Sequence, residues 1–262
     1  MIWLASRSPR RVQLLAEHGY GPDLVRVLPS GIDDSELEPP PPGTRPDEWA
    51  VALAWLKARA TMQRLLKTIS NAGETELSSD SNSNKTAGPS SEDLRDPASA
   101  GHHLIIGADT VVEVEGEMLG QPTDLAHARQ IICRLNNRHH RVLTGVALLD
   151  CRIADSTSLE DRNIRSVIEA TTKKASGRSL GQSETTLHLA RRLLFVDTAD
   201  VEVGNVRSAD IKSYLDTGDW RGKAGAYNLS ERLTAGWPIT YEGDPTTIMG
   251  LPMGLLQQVL GA

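Results

Sequence analysis

Two long polar stretches constrain how this chain can fold. Residues 69–103 are dominated by Ser, Asn, Gly and acidic residues, with almost nothing apolar, and read as a disordered surface insertion. Residues 152–190 form a second polar insertion, roughly neutral, for which an extended hairpin and a loop are both open readings. A core must therefore be assembled from the three segments around them. With 39% hydrophobic residues in 262, those segments can build one, and the reading is a single domain spanning 1–262. Aromatics are only 4%, so aliphatic side chains must fill most of that core.

Charge narrows the function classes. Glu74, Glu76, Asp80, Glu92, Asp93 and Asp96 face only Lys85 and Arg95 inside the first insertion, which places −4 of the formal −6 there. The rest is nearly balanced and offers no basic face for DNA or RNA. No apolar run approaches the ~18 residues of a membrane span. Met1 to Ala5 is too short for a secretory signal, and Arg7, Arg10 and Arg11 follow at once. Cys133 and Cys151 form neither a disulfide framework nor a metal-binding spacing. The expectation is a cytoplasmic protein without nucleic-acid or membrane partners.

Met1 to Ala5 reads as a short buried strand. Ser8 then caps a helix with Pro9 at its first position. Leu24 to Leu28 reads as a strand. A helix follows from Asp47 to about Lys67, with Trp49, Leu53, Leu56 and Ala60 on its apolar face. Leu104 to Ile106 reads as a buried strand ending at Gly107-Ala108-Asp109-Thr110, with Val111 to Met118 able to pair with it as a hairpin. Asp124 caps a helix to about Leu135; strands are expected at Arg141 to Leu149 and Leu193 to Val203. Ser208 caps a helix through Leu215, Gly222 to Thr240 is loop-like, and Pro252 starts a last helix. Strands and helices mix without strict alternation, which favours an α/β or α+β domain with a mixed sheet over a doubly wound one.

Four places could carry chemistry. Ser6-Arg7-Ser8-Pro9-Arg10-Arg11 lies where a strand passes into a helix, and free N–H groups, two hydroxyls and guanidiniums there suit a phosphate. The plain alternative is a capped helix with exposed arginines. Asp109 follows an apolar strand, where a carboxylate can hold Mg²⁺ or orient water; Asp33 and Asp34 could share such an ion, or could simply be solvated. Lys57 sits inside a helix, where most lysines snorkel to water. Gly222-Lys223-Ala224-Gly225-Ala226-Tyr227 lets backbone approach a ligand closely beside a charge, or is a flexible loop. His139-His140 lacks partners at metal spacing and suits a structural role or a phosphate contact better than zinc. No Ser-His-Asp arrangement, Walker motif or dinucleotide fingerprint is present.

Taken in order, these pieces resemble the Maf family, once described as septum-formation inhibitors and related in fold to inosine triphosphate pyrophosphatases. The matching blocks are Leu4 to Arg11, Lys57-Ala58, Gly107 to Val112, Leu119 to Pro122, His140 to Gly145, Lys223 to Tyr227 and Gly250 to Pro252. Their joint order and spacing carry the match. The resemblance implies an elongated mixed sheet flanked by helices, with two lobes around a deep cleft. It implies hydrolysis of a nucleoside triphosphate to monophosphate and pyrophosphate. Asp109, Lys57 and Asp34 would be catalytic; Asp34 and Asp109 would hold a divalent metal cation, Mg²⁺ or Mn²⁺. Substrate would be bound by Ser6, Ser8, Arg10, Arg11, Thr110, Gln121, Lys223, Ser230 and Glu231. A homodimer is compatible with it.

Three departures from the family pattern stand out. Gln121 stands where Lys is usual, Asp34 where Glu is usual, and Asn228-Leu229-Ser230-Glu231 where a Gln often follows. Thr110 looks like the branch acting on thymidine and uridine triphosphates, whereas an acid near Glu231 is similar to the branch for methylated guanosine triphosphate. Gln121 and Asp34 also motivate the alternative of a nucleotide-binding regulator with weak or lost turnover.

Overall fold

A strand buried on both faces must lie in the middle of a sheet, and residues 102–114 have that character: beyond His102 every side chain is buried or half-buried. The computed structural model describes residues 1–34, 37–74, 102–155 and 185–261, and places this strand as the centre of a seven-stranded sheet. The strands are β1 (Ile2–Leu4), β2 (Val25–Val27), β3 (His102–Val114), β4 (Glu117–Leu119), β5 (Arg138–Asp155), β6 (Thr185–Val203) and β7 (Ile239–Glu242). Their order is β2-β1-β3-β5-β6-β7, with β4 also on β3. β1 runs parallel to β2 and β3, and every other pairing is antiparallel, so the sheet is mixed, as expected, and open.

Seven helices lie among the described residues: α1 (Pro9–Glu17), α2 (Pro46–Glu74), α3 (Leu125–Leu135), α4 (Ser208–Thr217), α5 (Leu229–Thr234), α6 (Pro245–Ile248) and α7 (Met253–Leu260). None is long and apolar enough to cross a membrane. Ser8 and Pro9 open α1 as expected, but the Ser8 hydroxyl makes no cap; its N–H instead donates to Ser6 Oγ at 3.1 Å. The cap of α4 is Arg207 rather than Ser208, and the segment expected to be a loop from Gly222 to Thr240 holds α5 and the start of β7. Asn228 caps α5 by accepting from the Glu231 N–H, a capping-box spacing that explains why this short helix forms.

The apolar face of α2 differs from the expected one. Its buried line runs Ala50, Leu53, Ala54, Lys57, Ala58, Thr61 and Leu65, while Leu56 is exposed. The reason lies in the sheet beneath. A Cβ on Gly107 would run into the Ala54 carbonyl and come within 2.8 Å of the Ala58 methyl; one on Gly145 would strike the backbone of Ala50 and Val51. Alanines on the helix and glycines on β3 and β5 thus let the two backbones meet directly. The helix also runs to Glu74, with Ile69 packed on the core, so the expected insertion begins later than residue 69. Residues 75–101, the bulk of it, lie outside the described residues.

β3 also overruns its expected end. Gly107 serves helix contact rather than a turn, and the strand continues to Val114 before a hairpin into β4. The ends of the second polar insertion are strand as well, Ile153 pairing with Leu187 and Asp155 with Thr185, while 156–184 lie outside the described residues. Three apolar clusters result. One packs α1 and α7 on one face of β3 and β5 around Leu4, Ile106 and Ala108; a second packs α2 on the opposite face around Trp3, Ile105 and Leu149. The third, around Val112, Val142, Tyr214 and Trp237, lies further along the same strands. Between them β3 and β5 carry Asp109, Thr110 and Thr144, a polar waist between two apolar ends.

Gly107→Ala should cost about 1–3 kcal/mol through overpacking, with a lowered melting temperature and α2 displaced from β3; an unchanged melting temperature would show that the close approach is not needed. Replacing residues 76–100 with a short Gly/Ser linker should leave the melting temperature in place, and thermal unfolding checks it.

Candidate active site

The edge of β3 is open where the site forms. β1 pairs with β3 only from Leu104 to Ile106, and β4 only from Val112 to Val114. Residues 107–111 between them have no strand neighbour on that side among the described residues. Asp109 is therefore mid-strand in β3 yet just past the end of β1, at the carboxyl edge of the parallel pair. Alternation sends Asp109 toward α2 and Thr110 to the opposite face. A ligand at the open edge can reach both.

On the α2 face, Lys57 is buried and its Nζ donates to Asp109 Oδ1 at 2.5 Å and to Asp34 Oδ2 at 2.8 Å. Gln121 Nε2 reaches the same Asp34 oxygen at 3.3 Å. The other Asp34 oxygen is buried and has no partner among the described residues. Burial pushes the Asp109 carboxyl above the usual carboxylate range; Lys57 and then Arg11 oppose this without reversing it. Lys57 is thus a helix lysine turned inward, and its mate from the loop is Asp34, while Asp33 is exposed.

On the opposite face, Arg11 is locked from three sides. Its Nε donates to the Gly250 carbonyl at 2.7 Å, Nη1 to Ser6 Oγ at 3.2 Å and Nη2 to Thr110 Oγ1 at 3.3 Å. Burial lowers its pKa, with Asp109 and Asp34 acting the other way; the guanidinium stays charged at any working pH. It has no ion-pair partner among the described residues, so two of its five N–H groups remain for an anion. Thr110 is held in turn. Thr144 donates to the Thr247 carbonyl at 2.8 Å, so the 3.0 Å contact between Thr110 and Thr144 must use the Thr110 proton. Thr247 donates to Asp197. Thr110 can then only accept, and what it accepts is Arg11.

Arg10, the neighbour of Arg11 on α1, joins a third group. Its Nη2 donates to Ser230 Oγ at 2.8 Å and to Asn228 Oδ1 at 3.3 Å, and lies 4.0 Å from Glu231. Glu231 pairs with Lys223 at 2.6 Å. Lys223 precedes a tight turn, Ala224–Ala226, in which Gly225 takes a φ of 68° close against Val112 and Leu135. Tyr227 anchors that turn through a 2.9 Å hydrogen bond to His140 Nε2, which burial keeps neutral by lowering its pKa to about 4. His140 is therefore structural, not a phosphate contact.

Asp34, Lys57, Asp109 and Gln121 thus meet in one network, Ser6, Arg11 and Thr110 in a second, and Arg10, Lys223, Ser230 and Glu231 in a third, with α1 spanning the last two. Ser8 contributes a backbone N–H rather than its hydroxyl to these contacts. Sequence reasoning gave no role to Asn228, Thr144, Thr247 or Asp197. Asn228 had a readable signal, as the first residue of a capping-box spacing, and Thr144 lay within the block His140 to Gly145.

Comparison with known proteins places the chain among named relatives. The chain is 29% identical over 262 residues to a dTTP/UTP pyrophosphatase of Aromatoleum aromaticum, covering 99% of this chain and 93% of the relative. It is 30% identical over 259 residues to one of Pelotomaculum thermopropionicum, covering 99% and 94%, and 28% identical over 250 residues to one of Rhizobium meliloti, covering 95% and 86%. The profile of the Maf-like protein family matches residues 1–179 and 168–262 and so spans the chain from end to end, and this protein belongs to that family.

Proposed function

We propose that the chain hydrolyses a nucleoside triphosphate, of the dTTP or UTP class, to the monophosphate and pyrophosphate at the open edge of β3. The observation that carries this reading is Lys57 held between two carboxylates at 2.5 and 2.8 Å, with Arg11, a cation that has no ion-pair partner among the described residues, on the opposite face. Phosphoryl chemistry asks for positioned cations around the phosphates and a positioned base for water. Arg11, Arg10 and Lys223 supply the first; Arg10 and Lys223 exchange Ser230 and Glu231 for phosphate oxygens as substrate binds. Asp109 supplies the second. Its raised pKa makes it a stronger base than an ordinary aspartate, and Lys57 holds its Oδ1, fixing the direction of the other oxygen.

Asp34 and Asp109 would hold a divalent cation, Mg²⁺ or Mn²⁺. Two carboxylates completed by substrate phosphates are a donor set such ions accept, and the unpartnered buried oxygen of Asp34 fits it. When bound, the ion stabilises charge on the phosphates and aids activation of water. The test is a nucleotide panel with Mg²⁺ or Mn²⁺, assayed for pyrophosphate against orthophosphate. Pyrophosphate from dTTP or UTP is expected. Orthophosphate instead overturns the reading, and tight binding without turnover supports the regulator motivated by Gln121 and Asp34.

Asp109→Asn should stay folded, since it removes a buried charge that burial disfavours and leaves Lys57 its partner Asp34. Turnover should fall ~10²-fold or more, with nucleotide affinity much less affected; steady-state kinetics with a parallel thermal melt decides. In the parent enzyme the base must be ionised, so activity should be lost as pH falls through the raised Asp109 pKa. The acid limb of kcat/KM is expected above the ordinary aspartate value of about 3.9, and should disappear in Asp109→Asn.

Gln121→Lys adds an ammonium beside Asp34 at an exposed position. It should raise kcat/KM by about fivefold, the scale of one added charge-assisted contact. An unchanged or lower value in a folded variant would show that the amide does not limit the rate.

A further inference from the structure

The far side of α5 carries a feature that the pyrophosphatase reading does not use. Arg232 lies one residue beyond Glu231, and its guanidinium carbon sits 3.9 Å from the Tyr214 ring centroid and 5.4 Å from that of Trp237. Neither ring contact uses a hydrogen bond of the guanidinium. Among the described residues its buried Nε has no hydrogen-bond partner and the group makes no ion pair. An orphaned buried N–H on a charged group costs more than an ordinary lost hydrogen bond, and calls for a partner.

Arg232 lines a cavity of about 480 Å³, within the size range of small-molecule sites. Its wall includes Tyr214, Trp237 and Pro238, and its rim carries Arg207, Asp210 and Thr217. Arg207 and Asp210 neutralise each other at 2.7 Å, which leaves Arg232 as the remaining charged residue of the lining. The residues lining the cavity thus carry a net positive charge in a chain of net charge −6. The active-site residues Asp109, Lys57 and Arg11 are not among its lining, so it is a separate place on the molecule.

We propose that this cavity is a second anion site, which takes a phosphate group in the fork of Arg232. Guanidinium is suited to this: it stacks on aromatic rings by its faces while its edge binds phosphate oxygens in pairs. The phosphate can be free or be carried by a nucleoside monophosphate, whose base would lie along the Trp237 and Pro238 wall.

The test follows the Trp237 indole N–H by nuclear magnetic resonance in the full chain, with the signal assigned through Trp237→Phe. Inorganic phosphate and uridine monophosphate are titrated separately. A saturable shift is expected in the parent and in Arg10→Met, and a loss of at least tenfold in affinity in Arg232→Gln. Tighter binding of the monophosphate than of phosphate assigns the aromatic wall to the base; equal binding assigns the site to phosphate alone. No saturable shift up to about 10 mM, a range already covering very weak ligands, overturns the proposal. So does a shift that persists in Arg232→Gln or vanishes in Arg10→Met. If Arg232→Gln does not fold, Arg207→Gln at the exposed rim decides: a severalfold weaker shift supports the site, and unchanged affinity removes it.

Discussion

The Lys57 ammonium, shared between Asp109 and Asp34, is the contact on which the site depends. A lysine with three donors and a single charge holds two carboxylates from distant segments, one from the centre of the sheet and one from a loop. Buried charges are tolerated only when paired, and removing one partner of such a group strands the other. The pairing in turn needs α2 to lie closer to the sheet than side chains normally permit. Ala50, Ala54 and Ala58 against Gly107 and Gly145 supply that closeness. Bulk at any of these positions would lift Lys57 away from Asp109, so packing and chemistry are the same constraint here.

Helix α1 adds the second constraint by distributing two neighbouring arginines to two networks. Arg11 is fixed by a carbonyl and two hydroxyls, none of which neutralises it, and Thr110 owes its orientation to a relay through Thr144 to the Thr247 carbonyl. Arg10 is met by Ser230 and Asn228. One arginine is thus rigid and uncompensated, the other held by partners it can release. That division suits a site which must both fix a phosphate and admit one.

Much of this was legible in the sequence, for reasons that can be named. The mixed sheet followed from strands and helices that do not alternate, and Asp109 from its place after an apolar run. What sequence missed was mostly the meaning of small residues. Gly107 and Ala108 read as a turn, because glycine more often ends a strand than admits a helix against it. The same misreading set the wrong face of α2, since Trp49 and Leu56 outweigh Ala50 and Ala54 in any hydrophobic count. Ser8 and Ser208 looked like caps because hydroxyls usually serve there, yet neither helix uses one. The hydroxyl relay was invisible for a different reason. Thr110, Thr144, Thr247 and Asp197 are far apart in the chain, and only the register of β3 on β5, with Thr110 opposite Thr144, brings the first pair together.

The charges at the waist bear on what must accompany a substrate. Lys57, Arg10, Arg11 and Lys223 are opposed by Asp34, Asp109 and Glu231, so the site as it stands is close to neutral. Gln121 adds no charge. Three linked phosphates would make it strongly anionic in a partly buried space, where repulsion is weakly screened. Exchange of Glu231 for phosphate at Lys223 and Arg10 relieves part of this, but Asp34 and Asp109 remain beside the phosphates. Two ways are left to restore balance: protonating Asp109, which burial already favours, or bringing a divalent cation with the nucleotide. Protonation would remove the base that the proposed reaction needs. On the function proposed above, the nucleotide would enter as its metal complex, and Asp34, with an oxygen that has no partner among the described residues, and Asp109 would hold that ion.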